Sequence, residues 1–146
     1  MKIFSKLMIS LFFSLIAISS TFTAASAAER QEKIIYHVSD SINATTALRN
    51  ARNHLEQSPK VKIVFVTHGA GIDFLLDGAQ DKNGNPYDIM VQELAAKKVE
   101  FRVCNITLAS RNIDKSKLLP EASIVPSGVA EVSRLQIREG YAYIKP

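Results

Sequence analysis

The chain has 146 residues, 18 basic against 14 acidic, for a net charge of +4 with histidine neutral, and 47% of its residues are hydrophobic. That is enough to build one packed domain and too little for two. The charges are interspersed, with Lys97-Lys98 the only basic doublet, so the footprint of a nucleic-acid-binding protein is absent. A single cysteine, Cys104, excludes an intrachain disulfide, and the fold must hold by its core alone.

Lys2 and Lys6 begin the chain, residues 7–18 are almost wholly apolar, and a Ser/Thr/Ala-rich stretch ends in Ala25-Ser26-Ala27. This is the layout of a secretory signal peptide over residues 1–27, cut after Ala27 or Ala28. The apolar run is short for a membrane anchor. The expectation is a periplasmic domain over residues 28–146, with no membrane association after cleavage. Loss of Lys2 and Lys6 leaves 16 basic against 14 acidic residues, a net +2.

Residues 33–38 form a near-continuous β-rich run, as an inner parallel strand does. Ser39-Asp40-Ser41 offers capping oxygens, and Ala44, Ala47, Leu48, Ala51 and Leu55 then recur at helical intervals. Pro59 disfavours helical geometry at Ser58, so this helix ends near Gln57. Residues 61–67 are a second buried strand, running into the loop His68-Gly69-Ala70-Gly71, where glycines permit tight turning. A short apolar helical piece is expected over 72–78, and the turn cluster at 81–86 follows. Ile89, Met90, Glu93, Leu94 and Lys97 mark an amphipathic helix.

Val99, Phe101 and Val103 then alternate with Glu100 and Arg102, a third strand. After Cys104 the spacing changes, with Ile106, Ala109 and Ile113 at helical intervals. Residues 114–119 suit one more helical turn, and Ser123-Ile124-Val125 a fourth strand. Pro126-Ser127-Gly128 leads into a helix over 129–138 whose apolar positions include Ala130, Leu135 and Ile137, with Gly140 as its stop. Tyr141-Ala142-Tyr143-Ile144 closes the chain as a strand. Alternating strands and helices predict an α/β fold, a mostly parallel five-stranded sheet with helices on both faces. In such a sheet the junctions Ser39-Asp40, His68-Gly69, Cys104-Asn105 and Pro126-Ser127-Gly128 share the carboxyl rim, where ligands bind. Which strands are neighbours is not encoded in the pattern.

Cys104 stands where a strand becomes a helix. Helical N–H groups without intrahelical partners favour negative charge and draw a thiol toward thiolate, below a free pKa of about 8.5. A thiolate exposed at the rim is a nucleophile and can hold an extra sulfur as a persulfide. The competing reading is a small packed hydrophobe. His68, in its glycine-flanked loop, is the candidate neighbour to steady a thiolate or shuttle a proton; otherwise it bonds backbone in a turn. His37 is expected as a satisfied core histidine and His54 as exposed on the first helix. Arg111 lies about two turns beyond Cys104, too far to pair with it. The histidines and the cysteine lack zinc-ligand spacing, and no metal is expected. Gly69-Ala70-Gly71 is not a full dinucleotide fingerprint, and the chain has neither a Walker loop nor a G-x-S-x-G elbow. Ser127-Gly128 reads as an ordinary helix cap that could also meet an anion. No cofactor is expected; a flavin or nucleotide at the rim is the least supported reading.

Several strings resemble the DsrE/DsrF-like family: Tyr36-His37-Val38-Ser39-Asp40, Leu48-Arg49-Asn50, His68-Gly69-Ala70-Gly71-Ile72-Asp73-Phe74-Leu75, Asn83-Gly84-Asn85-Pro86-Tyr87, Val103-Cys104-Asn105, Val125-Pro126-Ser127-Gly128 and Tyr141-Ala142-Tyr143-Ile144-Lys145-Pro146. The resemblance spans nearly all of residues 28–146. It implies a three-layer flavodoxin-like fold and a homo-oligomer, trimer or hexamer. It also implies a cysteine that accepts sulfane sulfur as a persulfide and exchanges it with a donor or acceptor protein. Cys104, followed by Leu108 and Arg111, matches that cysteine's position, with Ser39, Asp40, His68, Asn105, Ser127 and Gly128 as neighbours at the rim. Asn112 stands where the family's turn has a glycine, and an export signal separates this chain from cytoplasmic relays that serve tRNA modification or sulfur oxidation. Two functions follow: an exported sulfane-sulfur carrier, or a non-catalytic binding or assembly module that keeps the fold.

Overall fold

The computed structural model describes residues 31–146, and the expected signal peptide with its cleavage site lies outside them. The apolar runs become five strands, β1 (Lys33–Val38), β2 (Lys62–Thr67), β3 (Glu100–Cys104), β4 (Ala122–Val125) and β5 (Ala142–Ile144). Between them lie α1 (Ala44–Gln57), α2 (Tyr87–Ala96), α3 (Asn105–Ser110) and α4 (Gly128–Glu139), with 3-10 turns at Ser41–Asn43, Gly69–Leu75 and Lys115–Lys117. The strand order is β4-β3-β2-β1-β5 and every pairing is parallel.

This order dictates where the helices go. The chain steps from β1 to β4 in one direction across the sheet, and right-handed crossovers set α1, α2 and α3 on one face. To reach β5 it must return past β3, β2 and β1, which puts α4 on the other face. The packing agrees. Ala47, Leu48 and Ala51 of α1, Val91 and Leu94 of α2, and Leu108 of α3 share one core with Phe65 and Phe101. Leu135 of α4 packs instead with Ile35, Val64, Val66 and Tyr141. The first core is aromatic at its centre, with ring centroids 5.3 Å apart for Tyr36–Phe65 and 5.0 Å for Phe65–Phe101. Burying each phenylalanine stabilises the fold by about 1.5–3 kcal/mol.

Below α4 the sheet is more polar. Arg102 of β3 pairs with Glu100 and with Glu131 of α4, and Arg134 pairs with Glu131 at 2.8 Å and Glu139 at 2.6 Å. This explains one departure from the expected helix faces. Glu131 is buried because Arg102 lies beneath it, while Ala130 is exposed and Ile137 is 81% exposed. In α3, six residues long, Thr107 and Leu108 are the buried positions, and Ile106 and Ala109 face out. The expected helical piece at 72–78 is a 3-10 turn that begins at Gly69 instead, directly after the extended His68.

Gly71 shows how closely this turn lies against β1. A Cβ there would stand 2.1 Å from the Val38 carbonyl oxygen, backbone against backbone. Gly71→Ala is therefore expected to destabilise the protein by about 1–3 kcal/mol or more. Urea unfolding monitored by circular dichroism checks this; an unchanged midpoint would contradict it.

Candidate functional site

β3 and β4 are neighbours, but the helices that follow them leave toward opposite faces of the sheet. That is a topological switch point, the place where an open parallel sheet leaves a crevice beyond its strand ends. Cys104 is the last residue of β3 and the N-cap of α3, with extended backbone (φ −69°, ψ 117°). The next N–H groups, from Ile106 and Thr107, lie in the first turn of α3 and have no intrahelical carbonyl.

The second helix start comes from across the crevice. Ser127 caps α4, its Oγ accepting from the Ala130 N–H at 3.4 Å, and Gly128 is the first helical residue. A Cβ at Gly128 would stand 3.1 Å from the Thr67 carbonyl oxygen and 3.2 Å from the β-carbons of both Cys104 and His68. A side chain here would crowd all three neighbours by a few tenths of an ångström, and glycine lets α4 begin this close to the cysteine.

Two opposed effects act on the thiol. Burial pushes its pKa up, while hydrogen bonds from the Gly128 N–H, the Thr107 N–H and hydroxyl and the Ile106 N–H pull it down. The hydrogen bonds prevail and leave the pKa below the ordinary cysteine value. Thr107 does double duty here, since its Oγ also accepts from the Gly69 N–H at 2.9 Å. The hydroxyl thus joins the His68 loop to the sulfur's surroundings.

The sulfur is not exposed at the rim, as the sequence reading expected. Cys104 is 4% exposed, closed over by α4's start and the β2 loop. The N–H groups of Gly128, Thr107 and Ile106 lie against it. Ile106 and Val129, 60% and 63% exposed, stand on the first turns of the two helices whose N–H groups meet it.

Arg111 does not approach Cys104. Its guanidinium donates to Asp73 at 2.6 Å and to the Gly69 carbonyl at 3.1 Å, clamping the β2 loop to the end of α3. Asn112 has φ +51°, the left-handed region that favours glycine and that asparagine tolerates. Ser39 and Asp40 act within the backbone. The Ser39 carbonyl accepts from Gly71 N–H at 3.1 Å, and the Asp40 carboxylate accepts from Ile42 N–H at 3.0 Å. Both follow β1, separated from β3 by β2, whereas Asn105 follows the cysteine directly.

The histidines differ most from expectation. His54 is half-buried, with Nδ1 at 3.2 Å from the Tyr36 hydroxyl. His37 is not a satisfied core residue. Its Nδ1 lies 2.7 Å from the Tyr143 hydroxyl, but Nε2 is buried without a partner. The His37 ring centroid is 4.8 Å from that of His68. Sequence reasoning passed over Thr107 and Tyr143. Thr107 lies three residues past Cys104, the spacing at which a capping residue meets the third helical position, and that was the available signal. Among the described residues, an open cavity of about 1060 Å³ lies at the opposite edge, lined by Lys62 and Glu100 at the starts of β2 and β3.

The sequence matches the model of the DsrE/DsrF-like family over residues 32–146. No curated protein gives a match. Among solved structures, the chain is similar to MTH1491, a protein of unknown function from Methanobacterium thermoautotrophicum. The two are 28% identical with a TM-score of 0.71, covering 80% of this chain and all of that one. The ychN protein of E. coli shares the fold at 17% identity and a TM-score of 0.63, covering 80% of this chain and 99% of its own.

The packing at α4's start leads to an expectation. In Gly128→Ala the added methyl must push α4 away from Cys104, lengthening the Gly128 N–H contact to sulfur. Thiolate absorbance at 240 nm and pH 7, read as the difference from Cys104→Ser, should then fall, because less thiolate is present. Absorbance at or above that of the unaltered protein would contradict the arrangement.

Proposed function

Because the chain belongs to the DsrE/DsrF-like family, whose members are sulfur-relay proteins, we propose that it is an exported sulfane-sulfur carrier in which Cys104 holds a persulfide. The observation behind this reading is the set of N–H groups from two helix starts directed at one sulfur, which favours its anion. The Cys104 thiolate attacks the outer sulfur of a donor persulfide. A bond forms from Sγ to that sulfur, the donor's S–S bond breaks, and the donor leaves as a thiolate. The same N–H groups suit the persulfide anion that results. Delivery to an acceptor thiol repeats the exchange in reverse.

The closed sulfur fits an exported protein. An unpaired thiol outside the cytoplasm meets oxidants, and 4% exposure limits their access. Exchange then requires a partner to open the crevice. Ile106 and Val129 offer that partner, a donor or acceptor protein, an apolar footing beside the sulfur. Assembly into a trimer or hexamer, as the family resemblance implies, belongs to the same reading.

The same low exposure favours a second reading, an assembly module in which Cys104 is merely packed. Incubation with a sulfane-sulfur donor, followed by intact-protein mass spectrometry, separates the two. The carrier gains one sulfur atom, the gain is lost in Cys104→Ser, and dithiothreitol removes it. A wild-type mass that stays unchanged with every donor would leave only the assembly module.

A further inference from the structure

We propose that His37 and His68 are the proton-holding half of the Cys104 site, with Tyr143 as the residue that seats His37. This rests on the carrier reading above. Backbone N–H groups can stabilise a thiolate, but they can neither take a proton from the thiol nor return one. The exchange needs both. Overall, the Cys104 thiol and a donor persulfide become a Cys104 persulfide and a donor thiol. The proton that leaves Cys104 must finish on the departing donor thiolate, and no oxidant or reductant takes part.

Histidine is the side chain suited to hold such a proton near neutral pH. The β-carbons of His68 and Cys104 flank the same point, each 3.2 Å from where a Gly128 Cβ would be. Behind His68 lies the His37 ring, 4.8 Å away between centroids and tilted by 39°. The Tyr143 hydroxyl holds His37 by Nδ1 at 2.7 Å, while Nε2 is buried and unpartnered.

Two imidazolium rings this close repel, so the pair holds its proton on one ring at a time. Burial first, then His68 and Lys145, lower the His37 pKa and favour its neutral form. The ionisable groups around His37 are His68 from the β2 loop and Tyr143 and Lys145 from the C-terminal strand and its tail. On α4, Glu131 and Arg134 are engaged with each other, Arg102 and Glu139. As pH falls and the pair takes up a proton from solvent, it can no longer accept the proton of Cys104, and transfer slows.

The test is the pH dependence, from pH 5 to 9, of sulfur transfer from glutathione persulfide to Cys104, followed by intact mass. His68→Gln is expected to slow transfer at pH 7 by about tenfold or more. His37→Gln should slow it by about threefold and displace the acidic limb of the profile toward higher pH, because a repelling ring is gone, and Tyr143→Phe should displace that limb while keeping the ring and its packing. A wild-type profile without an acidic limb, or variant profiles that superimpose on it, would overturn the proposal. Iodoacetamide alkylation of the same proteins separates this failure from failure of the carrier reading, because it needs thiol ionisation but no sulfur transfer. If the wild type accepts no sulfur, the carrier reading falls, and an alkylation profile unmoved in His68→Gln removes the histidine pair as well.

Discussion

Everything at the rim follows from one constraint on the chain's path. Four strands are laid down in one direction, and the fifth can be reached only by crossing back on the other face. The turn of direction falls between β3 and β4. Neighbouring strands there launch helices to opposite faces, so two helix starts converge instead of lying side by side. Unpaired N–H groups are a general property of helix starts. Two sets of them meeting at one sulfur are a property of this topology, completed by the absence of a side chain at Gly128.

Reactivity and protection are balanced at the same atom. Burial disfavours charge on sulfur, and the hydrogen bonds from Gly128, Thr107 and Ile106 outweigh it. The surrounding loop is braced in turn. Arg111 bonds Asp73 and the Gly69 carbonyl, and Thr107 receives the Gly69 N–H, so the His68 turn is fixed by residues of the helix that Cys104 begins. The exposed ion pair itself contributes little to stability, about 0–1 kcal/mol. Its effect is geometric. Because access runs through these polar contacts, a partner that separates α4's start from the β2 loop would expose the sulfur and also remove part of what ionises it.

The strands, the α/β class and the shared rim were legible in the sequence because buried parallel strands and alternating helices leave strong periodic marks. Val99, Phe101 and Val103 against Glu100 and Arg102 announced β3, and the change of spacing after Cys104 announced the junction. Strand order was not legible, since the period of a strand says nothing about its neighbour. The faces of α3 and α4 were misread for a related reason. Periodicity assumes that the buried stripe is apolar, whereas Glu131 is buried by its pairing with Arg102, and Thr107 by its bond to Gly69 and its place beside the sulfur. His37 looked like core because it lies within a strand; its open nitrogen and its tyrosine partner, 106 residues away, arise only when β5 pairs with β1.

The central physical claim is that folding holds the Cys104 sulfur as an anion more readily than water does. A pH titration of thiolate absorbance at 240 nm, as the difference between the unaltered protein and Cys104→Ser, tests it most directly. The account predicts a midpoint below the free-cysteine value of about 8.5 that returns to that value in denaturant. A midpoint at or above that value in the folded protein would contradict it.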